Sequence, residues 1–499
     1  MIVSLAMEVA LKGSANYAGG LGVLEADKFY AAGRLGLPYV LIAPFYPRGY
    51  VDYNLADGSR LVEVRHRHSI DFLASLRHVK SLTVKGRRGR LIAEADVYEY
   101  SHGTAKAYLY RITRPSHVVN LFKYLYRHRS DECTYYATAA AVSAEIVKHL
   151  ERVEVVDVQE AHLALAPYLI KGRRRFVTHT PGPWGHPRLC KEEGEDLLDV
   201  SLPSVRTMTE AAMEEVEQVF AVSKLHAKLT RKMFPKYVHK ISYVTNGVDL
   251  ASWQRVQASS PEELAKVRAG LKEQLSSMIS AVSTAPAKRV GGRLLVAWVR
   301  RMVRYKRPYF LERLVEERDL RDRFFLLVAG KPHAEDGYGR EMAERLAAIA
   351  KQRENVYFHA TYDRNIAFYF ISGSDLLLFT PFPGWEASGT SQMKAMANGV
   401  PVLSSRDGAS VEFIEDGVNG WLFGREVDEF LDIENDERAR EIDEQEYAEM
   451  VRKLLEIADV FENDKERYFQ ISYRAYEASP RLSIERALSQ YYPEYFAAR

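Results

Sequence analysis

The sequence predicts an α/β protein made of two doubly wound, Rossmann-like domains facing one another across a cleft. Three observations support this. Short apolar runs of β type alternate with helix-patterned stretches, which is the sequence form of parallel βαβ units. After an interval rich in Ser, Ala and Lys, a second series of the same kind begins. The length of 499 residues is too great for one core and suits two or three domains of ordinary size.

The elements follow in order. "MIVSLAMEV" reads as a first strand and not as the core of a signal peptide, because it lacks a basic leader and carries Glu8. "GGLGVLEADKFYAAGRLG" is a helix, "PYVLIAPF" the next strand, and "VEVVDV", "RFVTH" and "QVFAVS" repeat the theme, so residues 1–254 form the first α/β domain. Residues 255–292 begin with the N-cap-like "SSPEE", end in a Gly pair and are expected to be a connector. The strands "RLLVAWV", "RFFLLVAG", "VYFHA", "DLLLFT", "VPVLSS" and "GWLFG" place a second α/β domain over 293–475. The acidic "EVDEFLDIENDERAREIDEQEYAEM" reads as the solvated face of a helix. A last amphipathic helix within 476–499 is expected to pack back on the first domain.

Composition narrows the function classes. The chain is 47% hydrophobic and 27% charged, and 69 basic against 67 acidic residues leave a formal charge of +2, so nothing global calls for nucleic acid. No apolar run approaches the ~18 residues of a membrane span. Cys133 and Cys190 cannot form a disulfide framework, and a reduced, cytoplasmic setting is expected. Few Asn and Gln with many Arg, Glu and Tyr hint at a heat-adapted source.

In paired doubly wound sheets a ligand binds beyond the carboxyl ends of the strands, so the strand-end loops are the candidate sites. In "YAGGLGVLEADK", Gly19, Gly20 and Gly22 precede a helix, as an anion-binding backbone or a plain tight turn would require. The dinucleotide fingerprint fails because Glu25 stands where a third glycine belongs. In "FVTHTPGPWGHPRLC" the spacing of His179, His186 and Cys190 does not suit zinc, and no metal is expected. His179 reads as a neutral hydrogen-bond donor to a polar ligand, or as a histidine bracing its loop. Asn246 and Gly247 mark a turn after a strand. In "AWVRRMVRYKRP" Arg300, Arg301, Arg304, Lys306 and Arg307 follow a strand directly, so an anion is expected there, with a solvated basic face as the alternative.

"EASGTSQMKAMANG" follows the strand "DLLLFT" and its loop. Many two-lobed sugar-nucleotide transferases carry two glutamates with seven residues between them, the second gripping the donor ribose. Here that spacing is kept from Glu386, but Lys394 occupies the second position. An ammonium does not suit ribose hydroxyls, whereas a desolvated amine can condense with an aldehyde.

"EASGTSQMK" followed by "ANG" resembles the pyridoxal-phosphate attachment signature of the α-glucan (glycogen, starch and maltodextrin) phosphorylases, a family of glycosyltransferase-B fold. The stretch "AMEVALKGSANYAGGLGVLEADKFYAAGRLGLP", then "FYPRGY", "THTPGPWGH", "VSKLH", "VTNGVDLASW", "RRMVRYKR", "AGKPHAED" and "DGASVE" resemble further family blocks in family order, from residue 4 to about 424. The chain is similar to the short archaeal and bacterial members.

The resemblance implies that Lys394 forms the Schiff base with pyridoxal phosphate, and that Thr390, Arg300 and Trp253 help hold it. Arg301 and Lys306, with the Gly20 backbone, would receive the substrate phosphate. Glu386, Ser388, Gly389, Asn246 and His179 would hydrogen-bond the glucosyl unit. It further implies retaining phosphorolysis of α-1,4-glucan ends by inorganic phosphate to glucose 1-phosphate, and a homodimer. It also implies no phosphorylation control of the kind carried by N-terminal extensions in animal members. Arg300 stands where many members have lysine, and Asp363 where longer members place an arginine near the cofactor, so the grip on the cofactor is expected to differ. The competing readings are a nucleotide-sugar glucan synthase of the same fold and a non-catalytic glucan-binding protein.

Overall fold

The computed structural model describes residues 1–126, 131–283, 288 and 290–497. The chain forms two compact units. One comprises Met1–Tyr50, Arg65–Asp249 and the end of the chain from Ala487, and the other comprises Val51–Val64 and Leu250–Arg486.

The strands before residue 250 are β1 (Ile2–Leu5), β2 (Tyr39–Pro44), β3 (Val51–Ala56), β4 (Arg60–Arg65), β5 (Arg77–Lys85), β6 (Leu91–His102), β7 (Ala105–Arg114), β8 (Val155–Gln159), β9 (Arg174–Val177), β10 (Gln218–Ala221) and β11 (Ile241–Tyr243). All but β3 and β4 form one sheet of order β11-β10-β9-β8-β1-β2-β7-β6-β5. It is parallel from β11 to β7, and β6 and β5 add an antiparallel edge. The central strands β1, β2 and β8 are buried along their whole length. This is why they read as unbroken apolar runs and not as alternating ones. Strand order reverses between β1 and β8, so the loops leaving those strands flank the crevice of this sheet.

The end of the chain is locked into this unit. The Arg175 guanidinium is buried and grips Asp157 on β8 through two bonds of 2.6 and 2.7 Å. It also donates to the Tyr491 carbonyl at 2.7 Å, and the Tyr492 hydroxyl donates to Asp157 at 2.6 Å.

The second unit holds β12 (Leu294–Val299), β13 (Phe324–Ala329), β14 (Val356–His359), β15 (Leu376–Phe379), β16 (Val402–Ser405) and β17 (Trp421–Phe423). They form a wholly parallel sheet of order β14-β13-β12-β15-β16-β17. In order of appearance this is 3-2-1-4-5-6, the doubly wound arrangement in which a ligand sits where the order reverses, here between β12 and β15. Among the described residues the ribbon β3–β4 pairs only with itself, and it belongs mostly to this unit. Leu61 exchanges hydrogen bonds with Glu344 and Arg340 at 2.9 and 2.6 Å.

Two expectations need correction. Residues 255–292 are not a bare connector, because Pro261–Val282 is a helix within the second unit. Ser260 caps it, and Leu264, Leu271, Leu275 and Ile279 fall on one buried stripe. Its buried Arg268 donates to the carbonyls of Ser372 and Ser374. The polar composition that suggested a linker is the outer face of this helix. The expectation of a reduced setting is also not met by the cysteines. Cys133, at the start of the helix Glu132–Lys148, is bonded to Cys190 with their Cα atoms 5.6 Å apart. The two lie 57 residues apart, and only the folded chain shows that they meet. Among the described residues no helix is long and apolar enough to cross a membrane.

Candidate functional site

In the second unit the loops leaving β12 and β15 carry the expected residues to the reversal point. Arg300, the first residue after β12, is buried, stacks 3.8 Å from the centroid of the Phe379 ring and pairs with the Glu386 carboxylate. Lys306 Nζ lies 3.7 Å from the same Glu386 oxygen. Two cations thus share one carboxylate in a desolvated place. Burial pushes the Glu386 carboxyl up, but Lys306, Arg300 and Arg301 pull harder, and the net is a lowered pKa. Burial lowers Lys306 to about 7, with Glu386 opposing and Arg300 and Arg301 reinforcing the shift. Burial likewise lowers Arg300, against the charge of Glu386.

Asp407, after β16, fixes the Glu386 backbone. Its carboxylate accepts from the amides of Gly384, Glu386 and Gly408 at 2.9, 2.8 and 2.7 Å. Burial still raises it to about 7. Gly408 has φ +56°, and a Cβ there would sit 2.5 Å from the Glu386 carbonyl oxygen, so only glycine lets the two loops approach.

Lys394 lies on the short helix Ser391–Met396 and is 5% exposed, with Nζ 3.9 Å from the centroid of the Trp253 ring. The Arg364 guanidinium is 4.9 Å from the same ring. Asn398 joins the two segments by donating to the carbonyls of Trp253 and Lys394 at 2.9 and 2.8 Å. The Lys394 amide in turn donates to the Thr390 carbonyl at 3.1 Å. Ser388 is buried, and a Cβ on Gly389 would strike the Phe379 ring at 2.4 Å. The structure therefore groups Arg300, Lys306 and Glu386, and separately groups Lys394, Trp253 and Thr390. Arg301 is partly buried and lowers both Lys306 and Glu386.

One basic residue drops out of the anion set. Arg307 is fully buried and donates to the carbonyls of Thr380 and Pro381 at 2.9 and 2.8 Å. It also pairs with Asp443 and Glu446 at 3.1 and 2.7 Å. It is a brace under the β15 loop, and its neighbour Arg304 lies over the Tyr338 ring.

In the first unit the glycine loop leaves β1 toward the helix Gly20–Arg34. The Glu8 carboxylate accepts from the amides of Ala18, at 2.5 Å, and Gly19, at 3.2 Å. Gly20 faces open space, whereas a Cβ on Gly22 would meet Tyr17 at 2.6 Å. Asn246 is buried, and its amide donates to the Val222 carbonyl at 3.1 Å. His179, after β9, is partly buried. Its amide donates to Glu160 at 3.0 Å and its Nε2 lies 2.8 Å from Gln159 Oε1. Desolvation, then the charges of Lys28 and His226, hold its pKa well below the ordinary value. His186 is bonded to Thr209 at 2.8 Å and lowered to about 4 by burial.

Sequence reasoning missed Gln159 and Glu160 at the end of β8, as well as Asp407, Asn398 and Arg364. Glu160 has φ 68° and ψ 162°, a strained conformation for a residue with a side chain, directly beside the His179 loop. A signal existed for two of them. "VQEAH" and "SSRDG" place carboxylates immediately after apolar strands, where loops reach a crevice.

Comparison with known proteins bears on this geometry. Residues 284–460 match the family model for glycosyl transferases group 1. Maltodextrin phosphorylase from Thermococcus litoralis is 24% identical over 99% of this chain and 70% of its own length. Glycogen phosphorylase from Mycobacterium tuberculosis is 26% identical over 81% of this chain, which spans 60% of that relative's length. Among solved structures, the catalytic domain of starch synthase IV from Arabidopsis thaliana, bound to ADP and acarbose, superposes with a TM-score of 0.76. At 17% identity it covers 99% of this chain and 98% of its own. The chain has the glycosyltransferase-B α/β fold.

Proposed function

We propose that the protein is an α-glucan phosphorylase that transfers a glucosyl unit from the non-reducing end of an α-1,4-glucan to inorganic phosphate, with retention, giving glucose 1-phosphate. The observation that carries this reading is the lysine at the second position of the Glu386 spacing, its amine buried against Trp253. The low-identity likeness to phosphorylases along nearly the whole chain supports it.

The residues present fit pyridoxal phosphate. Arg300 Nη1 and both amide atoms of Gln392 are buried without a hydrogen-bond partner among the described residues, as groups awaiting a polar ligand would be. Lys394 would attach the cofactor, with Thr390, Arg300 and Trp253 holding it. When bound, the cofactor supplies a phosphate that relays a proton to inorganic phosphate and on to the leaving glycosidic oxygen.

The remaining steps belong to this chain. Arg301 and Lys306 hold the inorganic phosphate and offset the repulsion of neighbouring phosphates. Glu386, Ser388 and Gly389 orient the glucosyl unit, and Asp407 keeps Glu386 in place. Inorganic phosphate attacks the face that the leaving oxygen vacates, and no pair of catalytic carboxylates is needed.

The test is incubation of the purified protein with a maltodextrin and inorganic phosphate. Phosphate-dependent release of glucose 1-phosphate is expected. Glucan elongation from ADP- or UDP-glucose without phosphate-dependent turnover would overturn the reading in favour of a synthase.

A further inference from the structure

Behind His179 runs a chain of buried polar groups. The Lys28 amine pairs with Glu25 Oε1 at 2.8 Å, Ser4 Oγ donates to Glu25 Oε2 at 2.8 Å, and Gln159 Nε2 donates to Ser4 Oγ at 3.1 Å. Gln159 Oε1 then faces His179 Nε2 at 2.8 Å. Ser4, Glu25, Lys28 and Gln159 are each at most 2% exposed.

The directions of these bonds follow from the donor and acceptor inventory. A carboxylate only accepts, so the single Ser4 proton goes to Glu25. The Ser4 oxygen must then accept from Gln159, which can supply only its NH₂ group. This settles the amide orientation and turns the carbonyl oxygen toward the imidazole. A carbonyl oxygen needs a donor, so the proton of the neutral ring sits on Nε2 and Nδ1 carries a lone pair. The expected donor role of His179 is already used inside the protein.

We propose that Gln159 is a positioning residue that holds the His179 imidazole as the Nε2–H tautomer, so that Nδ1 meets a ligand as the acceptor for a hydroxyl group. The ligand class rests on the glucan reading above, whereas the tautomer does not. The lowered pKa of His179 agrees, since a charged ring would present a second donor and no acceptor. The Glu160 carboxylate holds the backbone on the other side, accepting from the amide of His179 at 3.0 Å and the hydroxyl of Thr180 at 2.8 Å.

The experiment is long-range proton–nitrogen NMR on the full chain labelled with ¹⁵N-histidine, with the His179 signals assigned by their loss in His179→Asn. In the unsubstituted protein Nε2 should appear protonated and Nδ1 bare. Ser4→Ala removes the acceptor that orients the amide without touching the ring, and Gln159→Leu removes the carbonyl itself. Each should bring in the Nδ1–H form, leave the other histidines unchanged and raise KM for maltodextrin about fivefold. A protonated Nδ1 in the unsubstituted protein, or a tautomer that neither variant moves, would overturn the inference. Absence of phosphorolysis with the expected tautomer would count against the glucan reading alone.

Discussion

Replacing Glu386 by Gln should uncouple the cation pair that the β12 and β15 loops create. Lys306 Nζ lies 3.7 Å from Glu386 Oε2, which at an effective dielectric near 20 is worth roughly 4 kcal/mol, or about three pKa units. Both side chains are well under one-third exposed, so solvent screening does not erase this. Lys306 already sits at about 7 because burial outweighs the carboxylate. With the carboxylate gone and Arg300 and Arg301 still present, its amine should titrate roughly three units lower and be neutral at pH 7. The assay is NMR of ¹⁵N-lysine across pH, with the Lys306 signal assigned by its loss in Lys306→Arg. A Lys306 that still titrates near 7 in Glu386→Gln would refute the argument that this carboxylate sustains its charge.

Related outcomes follow from the same contacts. In the intact protein Lys306 is charged below about 7 and loses its proton above it, so phosphate affinity should weaken as pH rises through that range. Lys306→Arg should flatten this part of the pH dependence of the phosphate KM. Lys394→Ala should abolish phosphorolysis while leaving the thermal unfolding midpoint within a few degrees, as activity assays and circular dichroism would show. Arg307→Met strands Asp443 and Glu446, so urea denaturation should show a loss of about 3–5 kcal/mol. Reduction of the Cys133–Cys190 bond, which spans 57 residues, should cost about 4 kcal/mol of stability in the same assay.

Local pattern made much of this legible. The apolar runs β12 to β16 and the loops that follow them appear in the sequence directly. The reversal point between β12 and β15 explains why Arg300 and Glu386, 86 residues apart, form an ion pair. Pairings that only the folded chain sets were hidden. Arg307 looks like its basic neighbours in "RRMVRYKR", yet its partners Asp443 and Glu446 come from a helix more than 130 residues away. Val51–Val64 gave no sign of leaving the unit that surrounds it in sequence, because its contacts are with residues near 340. The tautomer inferred for His179 depends on Ser4 and Gln159, which no spacing marks, and on Glu25, which the spacing marks only as the missing third glycine of a dinucleotide fingerprint.

The central claim is that the Lys394 amine carries an aldehyde cofactor. Its most direct test is reduction of the purified protein with borohydride in the presence of pyridoxal phosphate, followed by absorbance and peptide mapping. The account predicts one stable label, on the peptide containing Lys394, and its loss in Lys394→Ala. A label on another lysine, or none, would contradict it.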